Sequence, residues 1–154
     1  MPIKGRDKVD KAIQAKVNAS NDLVKAVYFK GLSEVIEKTP VHFKDGGRLK
    51  NNWFLSVGSP YNASTLIAHE KGANSFMQLG RIPKMVLGKK IYFTNNLVYA
   101  PIVEYGGYPL NVKRGTYIGG GKYQKLSAGG YSRQAPSGMA RIALNNMQRY
   151  IKQI

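Results

Sequence analysis

Cysteine is absent from this chain, histidine occurs twice, tryptophan once, and only eight of its 154 residues are acidic. The missing cysteine excludes disulfides, thiolate zinc sites and thiol nucleophiles. The two histidines, His42 and His69, sit in no catalytic pattern. His69-Glu70 lacks a second histidine four residues on, so no metalloprotease helix is present. His42 lies three residues from Asp45 beside a turn, with no nucleophile in a recognisable setting. The acids are scattered and supply no carboxylate cluster for a hard cation. No apolar run approaches a membrane span, and the start MPIKGRDKVDK is charged from Lys4 onward with no apolar signal segment. A soluble protein made in a cytosol is expected. It needs no cofactor, metal or membrane, and enzymatic activity is not expected of it.

What is present is positive charge. Lysine and arginine number 24, for a formal net of +16, while 43% hydrophobic residues suffice for a packed core. The charge is uneven. Residues 1–70 hold 11 basic and 7 acidic residues, whereas residues 71–154 hold 13 basic residues and one acid, Glu104. Such a field favours a polyanionic neighbour, with DNA the obvious one; an acidic face on another protein is the alternative.

The hydrophobic spacing predicts one long helix over 5–38, with Val9, Ala12, Ile13, Val17, Val24, Val27, Leu32, Val35 and Ile36 close to a 3.6-residue period. Gly31 weakens it locally, and Thr39-Pro40 ends it. At about 1.5 Å per residue it spans about 50 Å, long enough to pack partly on neighbouring subunits. Asp45-Gly46-Gly47 closes a loop. A strand is expected over Arg48–Gly58, with Leu49, Trp53, Leu55 and Val57 on one face. Residues 64–80 carry a weaker helical pattern broken by Gly72, and Lys89–Thr94 reads as a second strand. Pro101 suits the first turn of a short helix that ends at Gly106-Gly107. A C-terminal helix is expected from Ser137, with Met139, Ile142, Ala143, Met147, Tyr150 and Ile151 as its apolar stripe. The order is that of an α+β fold in a single domain over 1–154: a long N-terminal and a C-terminal helix packed on a small, mostly antiparallel sheet.

Residues 107–133 stand apart as an irregular insertion, rich in glycine, with tyrosine interleaved among Lys and Arg and no acid. Part of it is expected to form a hairpin using Val112 and Tyr117-Ile118. Gly119-Gly120-Gly121-Lys122 fails as a phosphate-binding loop, because Thr116 stands where the first glycine belongs and Tyr123 follows the lysine. For Lys113, Arg114, Lys122, Lys125 and Arg133 a neighbouring subunit is the first reading, a DNA backbone the second and a solvated loop the third.

Three ordered pieces of the chain resemble a known family. The first is Thr39-Pro40-Val41 followed by Gly47-Arg48-Leu49-Lys50-Asn51-Asn52-Trp53. The second runs Ile91-Tyr92-Phe93-Thr94-Asn95-Asn96-Leu97-Val98-Tyr99-Ala100, then Glu104-Tyr105-Gly106. The third is Gln134-Ala135-Pro136-Ser137-Gly138-Met139. Together they are similar to the neck or tail-completion components of long-tailed phages, the group that includes minor tail protein Z, over about residues 39–145. Related chains pass from the second piece to the third within several residues, so 107–133 departs from the pattern.

The resemblance implies a structural virion protein of the head–tail junction or upper tail, present in the host cytoplasm during assembly. Its partners would be copies of itself in a homo-oligomeric ring of sixfold or twelvefold symmetry, together with head-closure, tail-terminator or tail-tube proteins and passing double-stranded DNA. A non-specific double-stranded DNA-binding protein outside the virion is the alternative. Arg48, Trp53, Asn95, Asn96, Glu104, Gly106 and Pro136 are then fold and interface residues. Trp53 is expected to anchor the core, and Glu104 to pair with an arginine of its own or a neighbouring subunit.

Overall fold

A single helix of 33 residues, α1 (Arg6–Lys38), carries the rest of the molecule on its C-terminal half. The computed structural model describes residues 5–42, 44–106, 116–124, 127–128, 131–132 and 134–153. Along α1 the apolar stripe changes role. Val27, Leu32, Val35 and Ile36 are buried, whereas Val9 and Ile13 stay 58% and 57% exposed and every residue from 6 to 20 is exposed. Thr39 stops the helix in an extended conformation ahead of Pro40.

After α1 come a 3₁₀ turn (Lys50–Asn52), β1 (Phe54–Val57), α2 (Ala73–Leu79), β2 (Ile91–Thr94) and α3 (Ala100–Tyr105). The short β3 (Thr116–Gly119), β4 (Lys122–Gln124), β5 (Ser127–Ala128) and β6 (Tyr131–Ser132) follow, and α4 (Ala140–Lys152) closes the order. β1 pairs antiparallel with β2, from Phe54 opposite Thr94 to Val57 opposite Ile91. β3–β4 and β5–β6 are two further antiparallel ribbons. The fold is α+β, with a long N-terminal helix, a C-terminal helix and a small antiparallel sheet.

Trp53 lies in the core, 7% exposed, stacked on Phe93 at 5.3 Å between ring centroids. Its indole N–H donates to Thr39 Oγ1 at 2.9 Å, and that hydroxyl donates to the Val35 carbonyl at 2.7 Å. The end of α1 is thus tied to the start of β1. α4 crosses α1 at Gly31, where an added Cβ would lie 2.1 Å from Met147 Cγ. Lys30 sits 3.7 Å over the Tyr150 ring, and Asn146 donates to Glu34 across the same contact.

Four expectations from the sequence need correction. The strand expected from Arg48 begins only at Phe54, because residues 44–52 form turns and the 3₁₀ turn. Leu49 and Trp53 are both buried, but a spacing of four fits a helical turn as well as a strand. Val57 is 44% exposed and Phe54 buried instead, stacked on Tyr61. The helix expected over 64–80 is confined to Ala73–Leu79. Ahead of it, 61–69 has no regular secondary structure, and Leu66 and Ile67 are exposed. α4 starts at Ala140 rather than Ser137, since Gly138 adopts φ +77°, and Ile151 is 56% exposed. The hairpin within the insertion pairs Tyr117 with Tyr123; Val112 lies outside the described residues.

Candidate functional site

The motif residues of the sequence form one hydrogen-bonded block around the irregular segment 61–69. Asn96 Nδ2 donates to the carbonyls of Tyr61 and Ala63 at 2.8 and 2.9 Å. Asn52, fully buried, takes the Thr65 N–H at 2.8 Å and returns a bond to the Thr65 carbonyl, which also accepts from Arg48 Nε at 3.1 Å. Asn51 donates to the Ile67 carbonyl and accepts the Asn74 N–H at the start of α2. Asn95 donates to the Leu49 carbonyl at 2.8 Å and accepts the Leu97 N–H, closing the turn after β2. Backbone groups that would otherwise bond within a helix are occupied by side chains from elsewhere, which explains why 61–69 is not helical. Gly47, at φ +85°, lies where a Cβ would meet the backbone of His69 and Glu70 at 2.6 Å.

Glu104 organises the next junction. Its carboxylate is buried on α3 and accepts the N–H groups of Met139, Ala140 and Arg141 at 2.6, 3.0 and 3.0 Å, together with Arg141 Nε at 3.1 Å. A carboxylate at the first turn of a helix meets the positive end of its dipole. Burial alone would raise the Glu104 pKa. The bonds from the Met139, Arg141 and Ala140 amides and the Arg141 side chain outweigh it, so the carboxyl titrates below its ordinary value. Glu104 and Arg141 thus join α3 to α4 from either side of residues 107–133. Gly106 ends α3 at φ +86°, and Pro136 is exposed on the far side of the junction.

Between the turn at 40–48, Leu66 and α3 opens a cavity of about 520 Å³. Pro40, Leu49, Leu66 and Val103 give it an apolar floor, and Lys44, Arg48, His42 and Asp45 line its polar side. Tyr99 donates to Asp45 Oδ2 at 3.2 Å. Burial, the Asp45 charge and this bond push the phenol up to about 12 against the lesser pull of Arg48. Among the described residues, no three His, Asp or Glu side chains converge on a metal position, and no helix is long and apolar enough to cross a membrane.

The five cations singled out in the insertion divide. Lys122 opens β4 and is exposed; Lys113, Arg114, Lys125 and Arg133 lie outside the described residues. A second basic segment emerges that the sequence motifs did not mark, the loop 81–90. Asn21 of α1, 4% exposed, donates to the Lys84 carbonyl at 2.8 Å and accepts the Val86 N–H at 2.7 Å. The signal in the sequence was the run Arg81-Ile-Pro-Lys84-Met-Val-Leu-Gly-Lys89-Lys90, four cations and no acid. Its attachment to a residue over sixty positions away left no local trace.

Comparison of the chain with family models, curated proteins and solved structures finds no match.

Proposed function

We infer that the chain is a non-enzymatic structural subunit of a tailed-phage virion, one copy in a ring at the head–tail junction or at tail completion, with double-stranded DNA passing through it. The observation that carries this reading is how the three family-like pieces meet. Asn95 of the second piece bonds Leu49 of the first, and Glu104 of the second holds the Met139, Ala140 and Arg141 amides at and just after the third. Residues that would look arbitrary in a sequence therefore have structural tasks, as expected of an assembly component in which the fold positions contact surfaces.

Two further features favour assembly. The exposed first half of α1 is long for an unsupported helix and carries Val9, Ile13 and Val17 on its surface, which suits contact with a neighbouring copy or another neck protein. A head-to-tail contact of that kind closes into a ring when the rotation permits. The net charge of +12 after residue 70 (13 basic residues less one acid) suits a surface near DNA.

The test is direct. Mass spectrometry of purified virions is expected to find the protein at ring stoichiometry, and electron microscopy to place it at the junction with sixfold or twelvefold symmetry. Its absence from mature particles rejects the reading. The same excess of charge favours a second reading, a non-specific duplex-binding protein outside the virion. Presence in the cell with none in the particle would select that one.

A further inference from the structure

The loop between α2 and β2 is a rigid cationic ledge. Ile82 and Val86 are inserted into the core as two pegs, 7% and 2% exposed. Asn21 clamps the chain between them through Lys84 and Val86. The Lys89 N–H closes a turn on the Val86 carbonyl, and the Lys90 carbonyl accepts the Gly58 N–H beside β1. With its backbone pinned at both ends and in the middle, the loop leaves its four cations exposed, Arg81, Lys84, Lys89 and Lys90, together with Met85 and Leu87 at 38% and 37%. Among the described residues no carboxylate lies within 4.0 Å of any of them; Asp22, next to Asn21, forms no ion pair with the loop. Gly88, at φ +73°, has open space where a Cβ would stand, so a bulky partner can approach the backbone closely there.

We propose that the 81–90 ledge is a contact surface for the phosphate backbone of double-stranded DNA. Ile82 and Val86 point inward, and of the six exposed side chains four are cations and two, Met85 and Leu87, are apolar and only partly exposed. Lysine is depleted at the cores of protein–protein interfaces, where aromatic residues and arginine collect, and this argues against an acidic protein as the partner. Three of the four cations are lysines, point charges that suit phosphates and carry no base-reading geometry. The segment holds no aromatic side chain, the platform that single-stranded nucleic acid uses for stacking, so duplex is the form it fits. A clamped loop also loses little conformational freedom on binding. The proposal rests on DNA being a neighbour of the protein, as in the reading above, and not on the ring.

Binding of the full chain to a labelled duplex of arbitrary sequence, followed by fluorescence anisotropy across a salt series, tests it. Each phosphate neutralised contributes about 0.9 to the slope of log affinity against log salt. The variant Arg81→Gln/Lys84→Gln/Lys89→Gln/Lys90→Gln is expected to lower that slope by about 3 and the affinity at low salt at least about tenfold. A control with the same charge change on α1, Arg6→Gln/Lys8→Gln/Lys11→Gln/Lys16→Gln, is expected to change the slope by less than about 1. Should the quadruple loop variant fail to fold, Lys84→Glu/Lys89→Glu makes the same comparison. The proposal is overturned by no duplex binding of the wild-type chain, by equal loss in the loop and α1 variants, by an unchanged slope in the loop variant, or by tighter binding of the single strand than of the duplex. None of those outcomes alters whether the protein is found in virions, so the two readings fail separately.

Discussion

The Arg141 side chain holds Glu104 twice, through Nε on the carboxylate at 3.1 Å and a terminal guanidinium nitrogen on the Glu104 carbonyl. The pair joins the end of α3 to the start of α4 across 37 positions of sequence. The same carboxylate caps α4 through three backbone amides, so one side chain ties α3 to the start of the last helix. Gly138 must stay without a side chain here, since a Cβ would lie 2.5 Å from Glu104 Oε1.

Glu104→Gln is therefore expected to cost about 1–3 kcal/mol at neutral pH, because charge-assisted bonds to buried amides are weakened. The folded-state pKa lies below the ordinary 4.5, so the stabilisation is complete above that value and is lost as pH falls through the folded-state pKa. Urea unfolding at a series of pH values should show the wild type losing stability below about pH 4.5 more steeply than the variant. Parallel profiles would sink the assignment.

Gly31 presents two opposed effects. Replacing it with alanine adds helix propensity of about 1 kcal/mol. It also drives a Cβ into Met147, near the root of that side chain, and overpacking of this kind costs about 1–3 kcal/mol. The packing term is expected to win, so Gly31→Ala lowers the melting temperature. In Gly31→Ala/Met147→Ala the two losses should be less than additive, and strict additivity in the double-mutant cycle would show that the helices do not cross there.

Thr39→Val keeps the shape of the side chain but leaves the buried Trp53 indole N–H without its acceptor. A loss of about 1–3 kcal/mol is expected. Trp53→Phe in the same background should then cost less than Trp53→Phe alone. Urea titrations of the four chains measure the coupling, and a coupling of zero contradicts the bond.

Tyr99 is expected to titrate late, near 12. Its folded-state pKa lies above the ordinary 10.0, so the stability it contributes is complete below about 10 and declines as pH rises toward 12. Ultraviolet difference titration should lose its latest tyrosine transition in Tyr99→Phe. The alkaline loss of stability should also be shallower in that variant. If Tyr99→Phe leaves the latest transition in place, the Asp45 contact is not formed in solution.

The amino-acid sequence by itself determined the elements that depend on neighbours along the chain. The 3.6-residue stripe and Thr39-Pro40 set α1 and its end, Pro101 set the start of α3, and the large apolar surface of Trp53 placed it in the core. As the only acid after residue 70, Glu104 had to find a cation or a set of amides if it was to be buried, and it found both. Tertiary structure decided whatever depended on distant partners. Leu49 and Trp53 satisfy a strand and a helical turn equally, and the bonds of Asn51, Asn52 and Asn95 settled the helical turn. The helical pattern at 64–72 gave way because Arg48, Asn51 and Asn52 bond the backbone of 65 and 67 from outside. Gly31 looked like a weak point of α1 and is the place where α4 crosses. The clamp of Asn21 on 84–86 has no periodicity and no neighbour in sequence. Side-chain bonds to remote backbone depend on where the chain returns in space, and only the packed core fixes that.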